Sequence, residues 1–389
     1  MRRLAAFVGA LAFFAVSLSA GEFELRFQEV DSPEHPVFSL LSSRSLRLRQ
    51  RPAGTTLPES SGQDPWYYQV LLGLERLHAM MTPSERTLYI DAGDGFRLLD
   101  EQPLSGTPVR WSTEWGTRRA LLFGPLSMRK EGREVNVRVI VSESGHMEVF
   151  PEGFVTGDIT LSGETYRVAI ADANFNGRYD GIFDADGPSD TFVIDLNRDG
   201  EISPYHQWDG EIAPLGRFIS VEGQYYALRP APDGSSIRVE RAEPEMGTVD
   251  SDLPGGFMAF WSDSGAHYVE FGNGPLHLPS GIYQPLLLGL TAHDNRGQWS
   301  ITANDTGSLT TFTIEPGRNI EVKFGPPLVA TLDPSRHGDA ITTGLSIVGR
   351  AGESYPVSAE LDGRALATPS VEVFLEDGSR TAHGRFEYG

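Results

Sequence analysis

The chain has 389 residues, 53 acidic against 32 basic, a formal charge of −21 and no cysteine. That balance argues against nucleic acid and anionic membrane as partners, because both select basic surfaces. Without cysteine there is no disulfide, no lipid-anchored cysteine and no thiol nucleophile, and the length predicts about two to four domains.

Residues 1–20 read as a cleaved signal peptide. Arg2 and Arg3 form the basic start, Leu4 to Leu18 the apolar stretch, and Ser17-Leu-Ser-Ala20-Gly21 the small-residue cleavage site. The apolar run is short for a membrane span and no second one follows. The expectation is an exported protein (periplasm, cell surface or extracellular) with no membrane span after cleavage. Losing the two arginines takes the charge from −21 to −23.

Residues 21–145 are expected to form an N-terminal β domain. The run from Trp66 to Met81 nearly suits a helix, but Gly73 and the aromatic start favour strand. Thr87-Leu-Tyr-Ile-Asp91-Ala-Gly-Asp94-Gly95, followed by Asp100, reads as a degenerate Asp-Gly turn, with a weak metal site on Asp91, Asp94 and Asp100 as the alternative. Val135 to Val141 alternates apolar and polar residues, which predicts a strand.

Residues 146–245 contain two related hairpins. Ile159-Thr-Leu-Ser-Gly163-Glu-Thr-Tyr166-Arg-Val168 aligns without gaps on Ile219-Ser-Val-Glu-Gly223-Gln-Tyr-Tyr226-Ala-Leu228. The second copy runs into a plain turn, Pro230-Ala-Pro-Asp233-Gly234. The first runs into Asp172-Ala-Asn174-Phe-Asn176-Gly177, and Asp195-Leu-Asn197-Arg-Asp199-Gly200 follows. Both fit the Asp-x-Asx-x-Asx-Gly pattern of a calcium loop. Oxygens at positions 1, 3 and 5 converge on one hard cation, and the glycine at position 6 permits the bend that brings the next carbonyl in.

Loop one therefore offers Asp172, Asn174, Asn176, the Arg178 carbonyl and Asp180; loop two offers Asp195, Asn197, Asp199, the Glu201 carbonyl and Ser203. Position 12 holds Phe183 and His206 rather than the bidentate glutamate of an EF-hand, so Asp184, Asp186, Asp190 and Asp209 are candidates for that carboxylate. Strand-like runs, Thr165 to Ala171 and Thr191 to Ile194, precede the loops where an EF-hand has helices. Asx residues also close ordinary turns, but two such loops in tandem, joined by a connection rich in aspartate, predict bound calcium.

After a linker from Pro244 to Gly256, residues 246–325 are expected to form a β-sandwich, and residues 326–389 a C-terminal β module. The final run, with Leu345-Ser-Ile-Val348, Val357 to Leu361 and Val371 to Leu375 as strands, is either a separate small sandwich or the completion of the preceding one.

These features carry resemblances. The strand-then-loop units are similar to the calcium loops of integrin-type and thrombospondin type 3 repeats, with loop one matching the longer pattern through Asp180. Leu278-Pro-Ser-Gly281-Ile-Tyr283 resembles the strand entry of transthyretin-like sandwiches. The signal peptide, tandem loops and Ig-like modules together resemble secreted bacterial proteins of unassigned function, which implies no particular activity.

Catalytic motifs are missing: there is no Gly-x-Ser-x-Gly, no His-Glu-x-x-His and no phosphate loop. The nine histidines are scattered with no His-x-His pair, and Trp208, Trp261 and Trp299 read as core residues. The sequence thus predicts an all-β, multi-module fold of hairpins and sandwiches with strand–calcium-loop units. The function expected is structural calcium binding, with an extracellular or cell-surface polymer as a further partner. A surface adhesion or carbohydrate-binding module is the first alternative and a calcium-dependent secreted hydrolase the second.

Overall fold

The computed structural model describes residues 21–30, 43–57, 64–72, 75–91, 102–113, 116–130, 133–185, 187–200, 211–337, 340–356, 359–374 and 376–386. There is no helix among them. Antiparallel strands joined by tight turns make the architecture, as the β-branched runs and Gly/Pro punctuation predict. Residues 1–20, expected to be a signal peptide, and Asp94, Asp100, Asp186, Glu201, Ser203, His206, Trp208 and Asp209 lie outside the described residues.

Two short strands, β1 (Gly21–Glu24) and β2 (Arg26–Glu29), start the described chain and join sheets formed much later. Next come β3 (Ser43–Leu48), β4 (Trp66–Leu72), β5 (Glu75–Thr82) and β6 (Thr87–Asp91). They are followed by β7 (Leu104–Ser105), β8 (Thr107–Thr113), β9 (Gly116–Lys130), β10 (Arg133–Ser142) and β11 (Met147–Pro151). Their sheet order is β7-β6-β5-β4-β3-β11-β10-β9-β8. Because β7 and β8 are one segment interrupted only at Gly106, both ends of the sheet are the same strand. The sheet closes as an eight-stranded up-and-down barrel.

An eight-stranded barrel is just wide enough for side chains to fill its interior. Here Tyr68, Val70, Leu88, Phe123, Val137 and Val139 do so, all nearly inaccessible to solvent. The expected Trp66 to Met81 strand is the β4–β5 hairpin, in register from Trp66 opposite Met81 to Leu72 opposite Glu75.

A second sheet covers one outer face of the barrel. Its strands are β12 (Gly153–Leu161), β13 (Glu164–Ala171), β14 (Thr191–Ile194) and β15 (Ile212–Pro214), in the order β15-β14-β13-β12-β2. Phe154, Ala169 and Val193 pack on Trp111, Ile140 and Phe150 of the barrel exterior. The other face meets a third sheet of β16 (Phe218–Val221), β17 (Gln224–Pro230) and β18 (Ser236–Ala242), completed by β1. Here Ile159, Val168, Phe192 and Ile194 pack against Ile219, Leu228 and Ile237. A sheet buried on both faces reads as a continuous apolar run, and Val168 to Ala171 and Phe192 to Ile194 are such runs.

The repeated hairpins are both present. Ile159 faces Tyr166 in β12–β13, and Ile219 faces Tyr226 in β16–β17. Ser162 and Gly163 turn the first at φ 50° and 91°, Glu222 and Gly223 the second at 51° and 78°. Two consecutive positive φ values make the type I′ turn whose twist matches a right-handed hairpin. The strands cross the boundary expected at residue 145: β11 belongs to the barrel, while β1 and β2 join the central sheets.

Further on, β19 (Met246–Asp250), β20 (Gly256–Ser262), β21 (Gly265–Phe271) and β22 (Leu276–Pro279) precede the long β23 (Gly281–Asp294). With β24 (Gly297–Thr302), β25 (Phe312–Ile314) and β26 (Asn319–Glu321) they form two sheets around a core that includes Met258, Phe260, Tyr283, Leu288 and Phe324. The hairpin of β27 (Val329–His337) and β28 (Ala340–Val348) is exposed over much of its length.

Beyond it lie β29 (Ser354–Tyr355), β30 (Glu360–Leu361) and β31 (Arg364–Ala365). Tyr355 is buried in the sandwich core and β30 pairs with β24, so part of this final run completes the preceding sandwich. The last two strands, β32 (Ser370–Phe374) and β33 (Arg380–Arg385), pair with each other and with no other strand among the described residues.

Candidate metal centre

Both Asp-rich loops spring from the middle sheet. Loop one leaves the end of β13 and returns as β14; loop two leaves β14 and returns as β15. Since β14 runs antiparallel to both neighbours, the loops lie at opposite ends of that sheet. Asp190 and Asp195 flank the four residues of β14, one beside each loop.

The two loops share one backbone conformation. The fourth residue is left-handed in both, Phe175 at φ 57° and Arg198 at 59°, and so is the glycine at position 6, Gly177 at 70° and Gly200 at 78°. Left-handed φ costs a side-chain-bearing residue roughly 1–2 kcal/mol, so its recurrence at the same place marks a specified bend.

The side chains wrap inward the same way. Asp172 accepts from the Asn176 N–H at 2.9 Å and the Gly177 N–H at 2.7 Å; Asp195 accepts from the Gly200 N–H at 3.0 Å. Asn174 Oδ1 accepts from the Asn176 N–H, and Asn197 Oδ1 from the Asp199 N–H. Asn176 Oδ1 accepts from the Arg178 N–H at 2.8 Å. Asp172, Asn174 and Asp195 are buried; Asp199 lies in the more open loop two and is exposed.

A carboxylate placed just before the returning strand closes each loop. In loop one it is Asp190, with no residual exposure. Its Oδ2 accepts from the Gly181 N–H at 2.7 Å; the Asn174 N–H also lies close enough to favour the charged form, while Oδ1 makes no hydrogen bond of normal geometry among the described residues. Burial, then the negative charge of Asp172, pushes its pKa up to about 8, with Asp180 adding to the rise and the Gly181 N–H opposing it. A Cβ on Gly181 would lie 2.3 Å from Asn174 Nδ2 and 3.0 Å from Asp190 Oδ2, so a side chain there would have to displace Asn174.

In loop two the closing acid is Glu211, 2% exposed, which accepts from the Leu196 and Asn197 N–H groups. The sequence reading overlooked Glu211; its position directly before a strand, like that of Asp190, was the available signal. Asp195 Oδ1 is again buried without a partner. Of the five such buried side-chain atoms among the described residues, these two belong to the two loops.

Other expected ligands are placed differently. Asp180 is held by the Arg178 guanidinium, from Nε at 2.6 Å and also from Nη2. Asp184 is exposed in a short turn closed on Gly187, and Asp190 rather than Asp184 reaches the loop. Asp91 is buried at the end of β6.

No group of three or more Asp, Glu, His or Cys side chains with metal-binding geometry forms among the described residues. Calcium also takes amide and backbone carbonyl oxygens; both loops carry asparagine amides, and the carbonyl expected from loop two, that of Glu201, lies outside the described residues. An all-oxygen donor set with one unpartnered, buried carboxylate oxygen beside each loop fits a hard cation.

One Ser–His contact occurs in the sandwich: Ser264 Oγ lies 2.9 Å from His267 Nε2. Ser264 is 1% exposed and also bonds Ser262. Among the described residues no carboxylate is hydrogen-bonded to His267, whose pKa burial pushes down to about 4. A serine closed to substrate beside an imidazole with no orienting acid is a structural network rather than a nucleophile and its base. Comparison with protein-family models, curated proteins and solved structures finds no match.

Proposed function

We propose that this is an exported calcium-binding protein in which calcium is structural, one ion held in each loop. Asp172, Asn174, Asn176 and Asp190 would hold the first, with the Arg178 carbonyl; Asp195, Asn197 and Asp199 would hold the second, with Glu211 and the Glu201 carbonyl. What carries this reading is the pair of buried, unpartnered oxygens, Asp190 Oδ1 and Asp195 Oδ1. A buried carboxylate oxygen without a donor costs several kcal/mol unless a cation meets it or the group takes up a proton.

Few carboxylates face each ion, so affinity should fall at the weak, extracellular-module end, about 10⁻⁵ to 10⁻³ M. The test is the metal content of the native protein by mass spectrometry, with about two calcium ions per chain expected. Stoichiometric zinc without calcium would defeat the assignment, since zinc prefers nitrogen and sulfur donors.

A further inference from the structure

The two ends of the barrel differ. Phe175, from loop one, enters the barrel core at 2% exposure, and Gly177 beside it abuts Arg133 to Val135 at the start of β10. At the opposite end, where β10 finishes at Ser142, a cavity of about 670 Å³ opens over the core. Its floor includes Met81, Leu121 and Val141, the first and last at 2% and 1% exposure, and Trp66 forms part of the wall. Trp66 is held by the Arg47 guanidinium, 4.3 Å from the ring centroid, which also donates to the Ser144 carbonyl.

The rim carries three exposed arginines, Arg86, Arg110 and Arg119, against a single lining carboxylate among the described residues, Glu143. None of the three pairs with a carboxylate among the described residues, although most other ion pairs of this chain engage arginine. Residues 43–151 hold 14 basic and 13 acidic side chains, a net of +1, whereas the rest of the chain holds 18 and 40, a net of −22. The acidity of the protein stops at the barrel.

Arg86 closes the β5–β6 turn at φ 56°, a left-handed position that glycine or asparagine fills at lower cost, and the turn sets its guanidinium at the rim.

We propose that the open mouth of the barrel binds an amphipathic anion, its oxyanion head on Arg86, Arg110 and Arg119 and its aliphatic body over Met81, Leu121 and Val141. The volume lies within the roughly 300–1,000 Å³ of small-molecule sites, which occur at barrel mouths. Unpaired guanidiniums above an apolar floor suit a carboxylate, phosphate or sulfate on a hydrocarbon. This site is separate from the calcium loops and stands or falls independently of them.

The test is calorimetric titration of the full chain with three probes built on an unbranched ten-carbon chain: decanoate, decanol and decyltrimethylammonium. Calcium is kept low enough for calcium decanoate to stay dissolved. Decanoate should bind one to one, at least tenfold tighter than the neutral and cationic probes. The R86G/R119Q variant should lose at least tenfold in decanoate affinity while its calcium content and circular dichroism stay unchanged. Arg86→Gly relieves the left-handed strain, so the variant is expected to fold. The headgroup comparison on the unaltered protein decides the matter even if the variant does not. No decanoate binding, equal binding of the three probes, or undiminished decanoate binding by a folded variant would each overturn the proposal.

Discussion

Loop one and loop two have the same spacing and the same backbone conformation, yet they are anchored differently. The residue at position 4 is the cause. Phe175 in loop one is sunk in the barrel core, whereas Arg198 in loop two lies at the surface, ion-paired to Glu164 and 5.8 Å from the Tyr166 ring centroid. The closing acids are alike by comparison: Asp190 and Glu211 are both buried, and both accept from backbone N–H groups. A loop of this Asp-x-Asx-x-Asx-Gly pattern can therefore be a joint between two cores or an ornament on one, depending on the residue at position 4.

The largest effect should come from Phe175→Ala, which empties a buried aromatic site and should cost about 3–5 kcal/mol. Arg198→Ala at the equivalent position should stay within about 0.5 kcal/mol. Urea denaturation of both variants measures the ratio, and similar costs would erase the contrast between the loops.

Asp190 should produce the next effect, in chelator. Its folded pKa of about 8 lies above the ordinary carboxylate value. The protonated acid is thus favoured in the fold, and that contribution is complete below about pH 4 and lost as pH rises through about 8. Metal-free protein should lose a few kcal/mol of stability as the pH rises across that window, because each pH unit in it is worth at most roughly 1.4 kcal/mol. Asp190→Asn should flatten the curve and remove the calcium response of loop one. A wild-type melting temperature that does not vary with pH in chelator would show that Asp190 is not held neutral there.

Calcium itself should contribute about 1–3 kcal/mol per site, from RT ln(1 + [L]/Kd) at plausible occupancies. Differential scanning calorimetry should show a higher unfolding temperature with calcium than with chelator. Asp172→Ala should shrink that difference more than Asp195→Ala, because loop one ties two cores together. The smallest change is expected from Asp233→Ala, in the hairpin turn without ligands, where Asp233 bonds only Ser235. If Asp233→Ala reduces calcium binding as much as Asp195→Ala, the wrong loops have been chosen.

Much of this was legible in the sequence because β structure writes itself locally. The Ile159 and Ile219 repeats specify strand, turn and register within ten residues, and the I′ turns at Gly163 and Gly223 follow from the glycine positions. The loop geometry was legible for the same reason. Barrel closure was not, because it depends on pairing β3 with β11, about 100 residues apart, through Arg44 opposite Glu148. Glu211 was missed because it lies well past loop two and meets it only when β15 pairs with β14. Phe175 looked like filler in a ligand loop, since its burial belongs to a barrel formed by other residues. What the sequence hid was contact between distant segments.

The most direct test of the central claim is hydrogen–deuterium exchange resolved along the chain, with calcium and with chelator. Calcium should slow exchange at the Asn176, Gly177, Gly181 and Gly200 amides, each of which donates to a loop carboxylate. The Ser235 amide in the plain turn should exchange at the same rate in both. Indistinguishable exchange across residues 172–200 in the two conditions would reduce both loops to ordinary turns and contradict the account.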